Sequence, residues 1–155
     1  MNKEFTDDII KLIEKKEKSG VRPIHVSLFA PRRVGLTTFV MRWIFSKCRD
    51  SAIRVLVIGC TKDMAEYARS SYPILNRGDF SRYNQDTIEF KRSGAVISFI
   101  GSGSIRSKPE IFEEPWNLIY LIQSNNFSQD VYTKILQSNH TWLIEENTSR
   151  ITDYA

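Results

Sequence analysis

The spacing of apolar residues changes along this chain, and each spacing predicts an element of secondary structure. Apolar residues that recur three and four positions apart are typical of helices, and short apolar or alternating runs are typical of strands. The predicted helices cover residues 6–19, 38–45, 63–72 and 128–137. The predicted strands cover residues 24–29, 53–60, 118–122 and 141–144, with a hairpin formed by 87–91 and 95–100. Strands that alternate with helices predict an α/β fold, with a mainly parallel sheet flanked by helices.

The segments between these elements predict loops and helix ends. Residues 76–86 and 101–115 are polar or rich in glycine and serine, which favours loops. Thr6 and Ser128 stand where helix caps are expected, and Pro73 is expected to end the helix before it. Repeats, linkers and low-complexity segments are absent from the sequence. We therefore expect one domain over residues 1–155, with its core at about 24–150.

Composition limits the class of protein without naming a function. The chain has 155 residues, 41% hydrophobic and 26% charged, which is typical of a soluble globular domain. The sequence has no apolar run of the roughly 20 residues that a membrane span needs, and no apolar leader. Cys48 and Cys60 lack the spacing of metal ligands, so we expect both to be reduced inside a cell. A net charge of +4 permits contact with nucleic acid.

The segment after the first predicted strand has the spacing of a phosphate-binding loop. That loop reads Gly, four residues, Gly-Lys and then Ser or Thr, between a strand and a helix. Here Ala30 stands at the first glycine, Gly35 at the second, and Leu36 replaces the lysine, followed by Thr37 and Thr38. An ordinary strand-to-helix turn that needs glycine at position 35 would give the same pattern.

The replacements in this loop change what it can bind. Glycine lets the backbone approach a phosphate, and the hydroxyl of Thr37 is of a kind that contacts Mg²⁺. Leu36 cannot neutralise phosphate charge as a lysine does. Arg32 and Arg33 lie in the same loop and offer positive charge from another direction.

Four segments, taken in order, resemble the ATPase domain of viral DNA-packaging terminase large subunits of the herpesvirus and tailed-phage type. Residues 30–39 resemble the Walker A segment of that family, and 95–106 resemble the strand and glycine-containing loop before Walker B. Residues 118–127 resemble the Walker B strand, and 141–148 resemble the following strand with its coupling motif. The resemblance covers residues 24–150 and implies a fold of the P-loop NTPase type.

The resemblance also implies which residues the site has lost. Gln123 stands where the family has the aspartate that organises Mg²⁺, and Ser124 stands where it has the catalytic glutamate. Glu145 and Glu146 offer substitute carboxylates, but we expect both to be solvated at the end of a strand. The only cofactor implied is ATP with Mg²⁺, if nucleotide binding survives, and no dedicated metal site is predicted.

The leading hypothesis is a catalytically inactive terminase-like pseudo-ATPase, acting as a viral binding, regulatory or assembly module. Its expected partners are proteins of a packaging or assembly complex, and its location is the infected cell, in the nucleus if it is herpesvirus-like. One alternative is a divergent ATPase of DNA packaging that a partner activates. Another is a nucleic-acid-binding protein without nucleotide dependence, which contacts phosphates through Arg106 and Lys108.

Overall fold

One seven-stranded sheet with helices on both faces is formed by the residues that the computed structural model describes, which are 3–31, 35–71 and 77–148. The helices are α1 (Lys3–Lys18), α2 (Leu36–Asp50), α3 (Lys62–Ser70), α4 (Ser104–Ser107) and α5 (Gln129–Gln137). The strands are β1 (Ile24–Ala30), β2 (Arg54–Gly59), β3 (Phe80–Tyr83), β4 (Thr87–Phe90), β5 (Val96–Gly101), β6 (Trp116–Ile122) and β7 (His140–Thr148).

The strand order is β1-β7-β6-β2-β5-β4-β3, so the chain crosses over repeatedly to build the sheet. The first five strands in this order are parallel, and β4 and β3 extend the sheet in antiparallel fashion. The predicted α/β class with a mainly parallel sheet is therefore confirmed. The order places β7 between β1 and β6. Strand β1 leads into the segment with phosphate-loop spacing, residues 30–37, which we call the phosphate-type loop.

The core lies on both faces of the sheet, because helices cover each of them. Helices α1, α2 and α3 bury apolar residues such as Ile13, Ile44 and Ala68 against one face. Helices α4 and α5 bury Ile105 and Ile135 against the other. Parallel strands covered on both faces read as continuous apolar runs, which is why β2 and β6 were recognisable in the sequence.

Several local expectations differ from the structure. Residues 76–86 do not form only a loop, because β3 pairs there with β4 and Phe80 lies 5.1 Å from Phe90, ring centre to ring centre. The predicted loop 101–115 contains α4 and a short 3₁₀ helix. Helix α1 begins at Lys3, so Thr6 lies within it, and the side chain of Ser128 makes no capping hydrogen bond to α5. Pro73 lies outside the described residues.

Within the described part of the chain, no helix combines the length and the apolar character that crossing a membrane requires.

Candidate phosphate-loop site

The loop between β1 and α2 brings the predicted phosphate-binding residues to the carboxyl end of the sheet. Ala30 ends β1, and Gly35 directly precedes α2 with φ of 84°, a left-handed conformation that favours glycine. Arg32 and Arg33 lie outside the described residues. The 15-residue α2 begins at this edge, and the first N–H groups of a helix lack partners within the helix and lie at the positive end of its dipole.

A cavity of about 430 Å³ lies beside this loop. Seven of the residues singled out in the sequence line it, and these are Ala30, Gly35, Leu36, Thr37, Thr38, Gln123 and Glu146. The opposite wall is the start of α3, including Asp63 and the exposed ring of Tyr67. Close packing fixes this wall, because a Cβ at Gly59 would lie 2.6 Å from the backbone of Thr61. No pattern in the sequence indicated that α3 contributes to the cavity.

Thr37 and Glu146 form the central contact of the cavity. The Thr37 hydroxyl donates to the Glu146 carboxylate, with Oγ1 lying 2.9 Å from Oε1 and 2.7 Å from Oε2. The Glu146 residue is only 5% exposed. Burial raises the pKa of Glu146 above its ordinary value, although the bond from Thr37 opposes this rise. The expectation that Glu146 is solvated at a strand end is therefore wrong.

Glu146 is buried because β7 is longer than predicted and has a neighbour on each side. It lies beside Leu28 of β1 and Ile122 of β6, so it is covered within the sheet. Residues 145–148 are polar, so a prediction based on apolar runs ended the strand before them. The carboxylate thus reaches the phosphate-type loop from the strand next to the one that resembles Walker B.

Tyr120 lies beneath this pair on the same face of the sheet. It is fully buried, and its hydroxyl forms no hydrogen bond of normal geometry with the described residues. Burial raises the pKa of Tyr120 well above its ordinary value, the charge of Glu146 and the approach of its carboxylate raise it further, and the approach of Thr37 opposes the rise. The phenol therefore keeps its proton and remains a donor at every physiological pH.

Gln123 directly follows β6, and its side chain is hydrogen-bonded to β7 instead of being available to a ligand. Its side-chain amide donates to the Thr148 hydroxyl, and its Oε1 accepts from the Thr148 N–H at 3.3 Å. Its backbone N–H donates to the carbonyl of Glu146 at 2.7 Å. Its φ of 61° is left-handed, which is unfavourable for a residue with a Cβ. Two side-chain bonds and one backbone bond hold it in this conformation.

Ser124 and Glu145 meet on the opposite face of the sheet. Ser124 Oγ donates to Glu145 Oε1 at 2.8 Å, and Tyr132 donates to Oε2 at 2.9 Å. His25 pairs with the same Oε2. Burial alone would raise the pKa of Glu145, but these hydrogen bonds outweigh it, and the pKa is lowered. The prediction that Glu145 is solvated is also wrong.

A second cavity, of about 360 Å³, lies on this opposite face and is lined in part by Phe29, Ser124, Tyr132 and Glu145. Glu145 and Glu146 line different cavities because successive side chains of a strand point to opposite faces, although Asn147 lines both cavities. Glu145 and Glu146 therefore do not act as a pair, and only Glu146 lies at the phosphate-type loop.

Leu36 packs into the core and lines the cavity with an apolar side chain. It is 6% exposed and belongs to the same apolar cluster as Val40 and Ile44 of α2. Among the described residues that line the larger cavity, the charged ones are Asp63 and Glu146, both acidic. Within the described part of the chain, the feature that favours an anion in this cavity is the positive amino end of α2.

ATP with Mg²⁺ fits this cavity in part. Mg²⁺ bound with a nucleotide usually takes one or two protein carboxylates or hydroxyls, and phosphates and waters complete its shell. Thr37 and Glu146 offer one of each. The described residues contain no cluster of three or more His, Cys, Asp or Glu that would hold a metal alone. Among the described residues that line the cavity, none is basic.

The two basic residues considered for nucleic-acid contact lie away from the cavity. Arg106 of α4 forms a two-pronged ion pair with Asp130, with nitrogen to oxygen distances of 3.0 and 2.7 Å. Lys108 follows α4 and is exposed. Neither residue lines the larger cavity.

No known family profile matches the sequence. A comparison with curated protein sequences also finds no match. The fold is similar to that of the large terminase from a thermophilic bacteriophage, with a TM-score of 0.58 and 11% sequence identity. The match covers 90% of this chain and 37% of that chain. A likeness at this identity supports a terminase-like fold, and the chain spans little more than a third of that protein.

Proposed function

We propose that this chain is a catalytically inactive terminase-like domain that acts as a binding or regulatory module. The observation that carries the proposal is that the side chains of Gln123 and Ser124 are hydrogen-bonded to β7. Both stand where the family that the sequence resembles has acidic residues. The Gln123 side chain donates to Thr148, and the Ser124 side chain donates to Glu145. An amide and a hydroxyl tied in this way neither organise Mg²⁺ nor orient an attacking water.

The packing of Leu36 supports the same proposal. Catalysis of phosphoryl transfer depends on positive charge placed at the terminal phosphates. Leu36 has instead become part of the core under α2. Removing one such stabilising group commonly lowers the rate about a hundredfold or more. Loss of three groups predicts negligible independent turnover, even though such effects are not additive.

The partner follows from the fold that the chain retains. A domain that keeps the shape of a motor ATPase without its chemistry can still offer the surface that binds the motor or its other partners. We propose a protein of a viral packaging or assembly complex as that partner, on the strength of the terminase-like fold and the segment order in the sequence.

The test is the rate of ATP hydrolysis by the purified full chain with Mg²⁺, measured beside Thr37→Ala. We expect both proteins to show the same background rate, because no catalytic step depends on Thr37. Thr141→Ala is a matched control at an exposed position of β7. A wild-type rate of about 1 per second or more, which is ordinary for such enzymes, and its loss in Thr37→Ala only, would contradict the proposal.

The contact between Thr37 and Glu146 favours a second candidate, a divergent ATPase that a partner activates. In that candidate Glu146 supplies the carboxylate for Mg²⁺ from β7, and Arg32 or Arg33 supplies the positive charge. The same assay with the added partner separates the two candidates. Activity that Glu146→Gln abolishes and Glu145→Gln keeps would favour the second.

A further inference from the structure

Tyr120 carries an inference that concerns how the cavity accepts a ligand. Its hydroxyl is buried and has no hydrogen bond of normal geometry with the described residues, which is uncommon and costs free energy. Phenylalanine would pack in the same space without that cost. A buried donor of this kind needs an explanation in terms of a partner that it meets in another state.

Glu146 is the partner that the geometry offers. Tyr120 lies beside Ile144 in the sheet register. Ile144 is two residues before Glu146, so the side chains of Tyr120 and Glu146 lie on the same face of the sheet. The hydroxyl already lies close to the carboxylate, whose charge and contact raise its pKa, but the two groups do not form a hydrogen bond of normal geometry. Both groups lie on the face that α2 covers, below the start of that helix.

A ligand in the cavity can compete with Glu146 for the hydroxyl of Thr37. Within the described residues, Thr37 supplies both hydrogen bonds of normal geometry to this carboxylate. Thr37 also lines the cavity at the amino end of α2. When Thr37 turns its hydroxyl to a ligand, the carboxylate loses its donor of normal geometry among the described residues, and a buried charge that is poorly hydrogen-bonded is strongly unfavourable.

We propose that Tyr120 is a positioning residue that donates to Glu146 when Thr37 engages a phosphate-bearing ligand and its divalent cation. The inference rests on the proposed function, in which the cavity has lost hydrolysis, and it adds that the cavity still binds such a ligand. Tyr120 thereby holds the carboxylate in place while its second oxygen stays available at the cavity.

The experiment compares Tyr120→Phe with the wild-type full chain in two measurements. The first is the melting temperature without ligand, and the second is the affinity for Mg²⁺ with ADP by calorimetry. We expect Tyr120→Phe to melt at the same temperature or higher, because it removes an unpaired buried hydroxyl. We expect its affinity to fall about tenfold or more, because a hydrogen bond to a charged group is lost only in the bound state.

Tyr132→Phe is the matched control, since it removes a hydroxyl that already donates to Glu145 on the other face. It should lower the melting temperature and leave the affinity for Mg²⁺ with ADP unchanged. The inference is overturned if Tyr120→Phe loses stability as Tyr132→Phe does, or if its affinity is unchanged. Failure of the wild type to bind Mg²⁺ with ADP also overturns it. That last result leaves the proposal of an inactive module standing, because hydrolysis is measured separately.

Discussion

Glu145 and Glu146 are neighbours in the chain, but their pKa values move in opposite directions. Hydrogen bonds from His25, Ser124 and Tyr132 outweigh burial at Glu145 and lower its pKa. At Glu146 burial dominates and raises the pKa, despite the bond from Thr37. Ionisation therefore stabilises the fold at the first residue and opposes it at the second.

This contrast predicts opposite pH profiles for two matched variants. The stability that Glu145 gives is complete above its ordinary pKa of 4.5 and disappears as the pH falls through the lower folded value. Glu145→Gln should therefore be less stable than wild type by about 2 kcal/mol near neutral pH, with a gap that closes on acidification.

For Glu146 the cost of ionisation is absent below its ordinary pKa of 4.5 and grows as the pH rises through the higher folded value. Glu146→Gln should therefore gain stability relative to wild type as the pH rises. Melting temperatures from about pH 3 to about pH 8 check both profiles. Parallel profiles for the two variants would contradict the assignment of the two carboxylates to different surroundings.

The sequence identified both glutamates as candidates but could not say where they point. Their burial comes from β1 and β6 on either side of β7, and those neighbours are distant in the chain. The role proposed for Tyr120 was not foreseen, because a tyrosine within an apolar run is interpreted as part of the core. The residues of the loop itself, such as Gly35 and Thr37, were recognisable because their spacing is local.

The turn from β6 into the 3₁₀ helix Ser124–Asn126 depends on Gln123 in a left-handed conformation. We expect Gln123→Gly to be more stable than Gln123→Ala by about 1 kcal/mol, because both lose the bonds to Thr148 and only alanine keeps the backbone cost. Urea unfolding of the two variants measures this difference.

Lys11, exposed within α1, provides the reverse control for this turn. There Lys11→Gly should be less stable than Lys11→Ala by about 1 kcal/mol, as is usual inside a helix. If glycine were the less stable residue at both positions, the left-handed turn would not be costly, and the bonds to Thr148 would not be needed to hold it.

At the level of elements, long periodic segments were predicted well and short polar ones were not. Helix α2 and strands β1, β2 and β6 follow from apolar spacing that their own residues supply. Strand β3 was read as loop because its four residues gain stability only by pairing with β4. The carboxyl half of β7 was missed because its polar residues find their partners through tertiary contacts.

For the whole molecule, the alternation of helices and strands predicted the fold class but not the strand order. Crossovers decide that β7 lies between β1 and β6. This placement brings Glu146 to the loop after β1, and no local pattern encodes it. The charge of the chain, +4, is likewise a property of the whole molecule and leaves nucleic-acid binding as a prediction.

The ion pair of Arg106 with Asp130 allows that prediction to be tested at single residues. Because Arg106 already has a partner, we expect Lys108 to make the larger phosphate contact if the chain binds DNA. Lys108→Ala should reduce the slope of log affinity against log salt by about one, and Arg106→Ala by less. Fluorescence anisotropy with a labelled duplex across a salt series measures both slopes. Absence of binding at low salt would remove this alternative.

The alternation of β7 has a further consequence for how such a domain can diverge. Positions 145 and 146 are joined by one peptide bond but are separated by the thickness of the sheet. A substitution at position 145 or 146 therefore changes the lining of one cavity directly, whereas a substitution of Asn147, which lines both cavities and donates to Ser124, reaches the two sides at once.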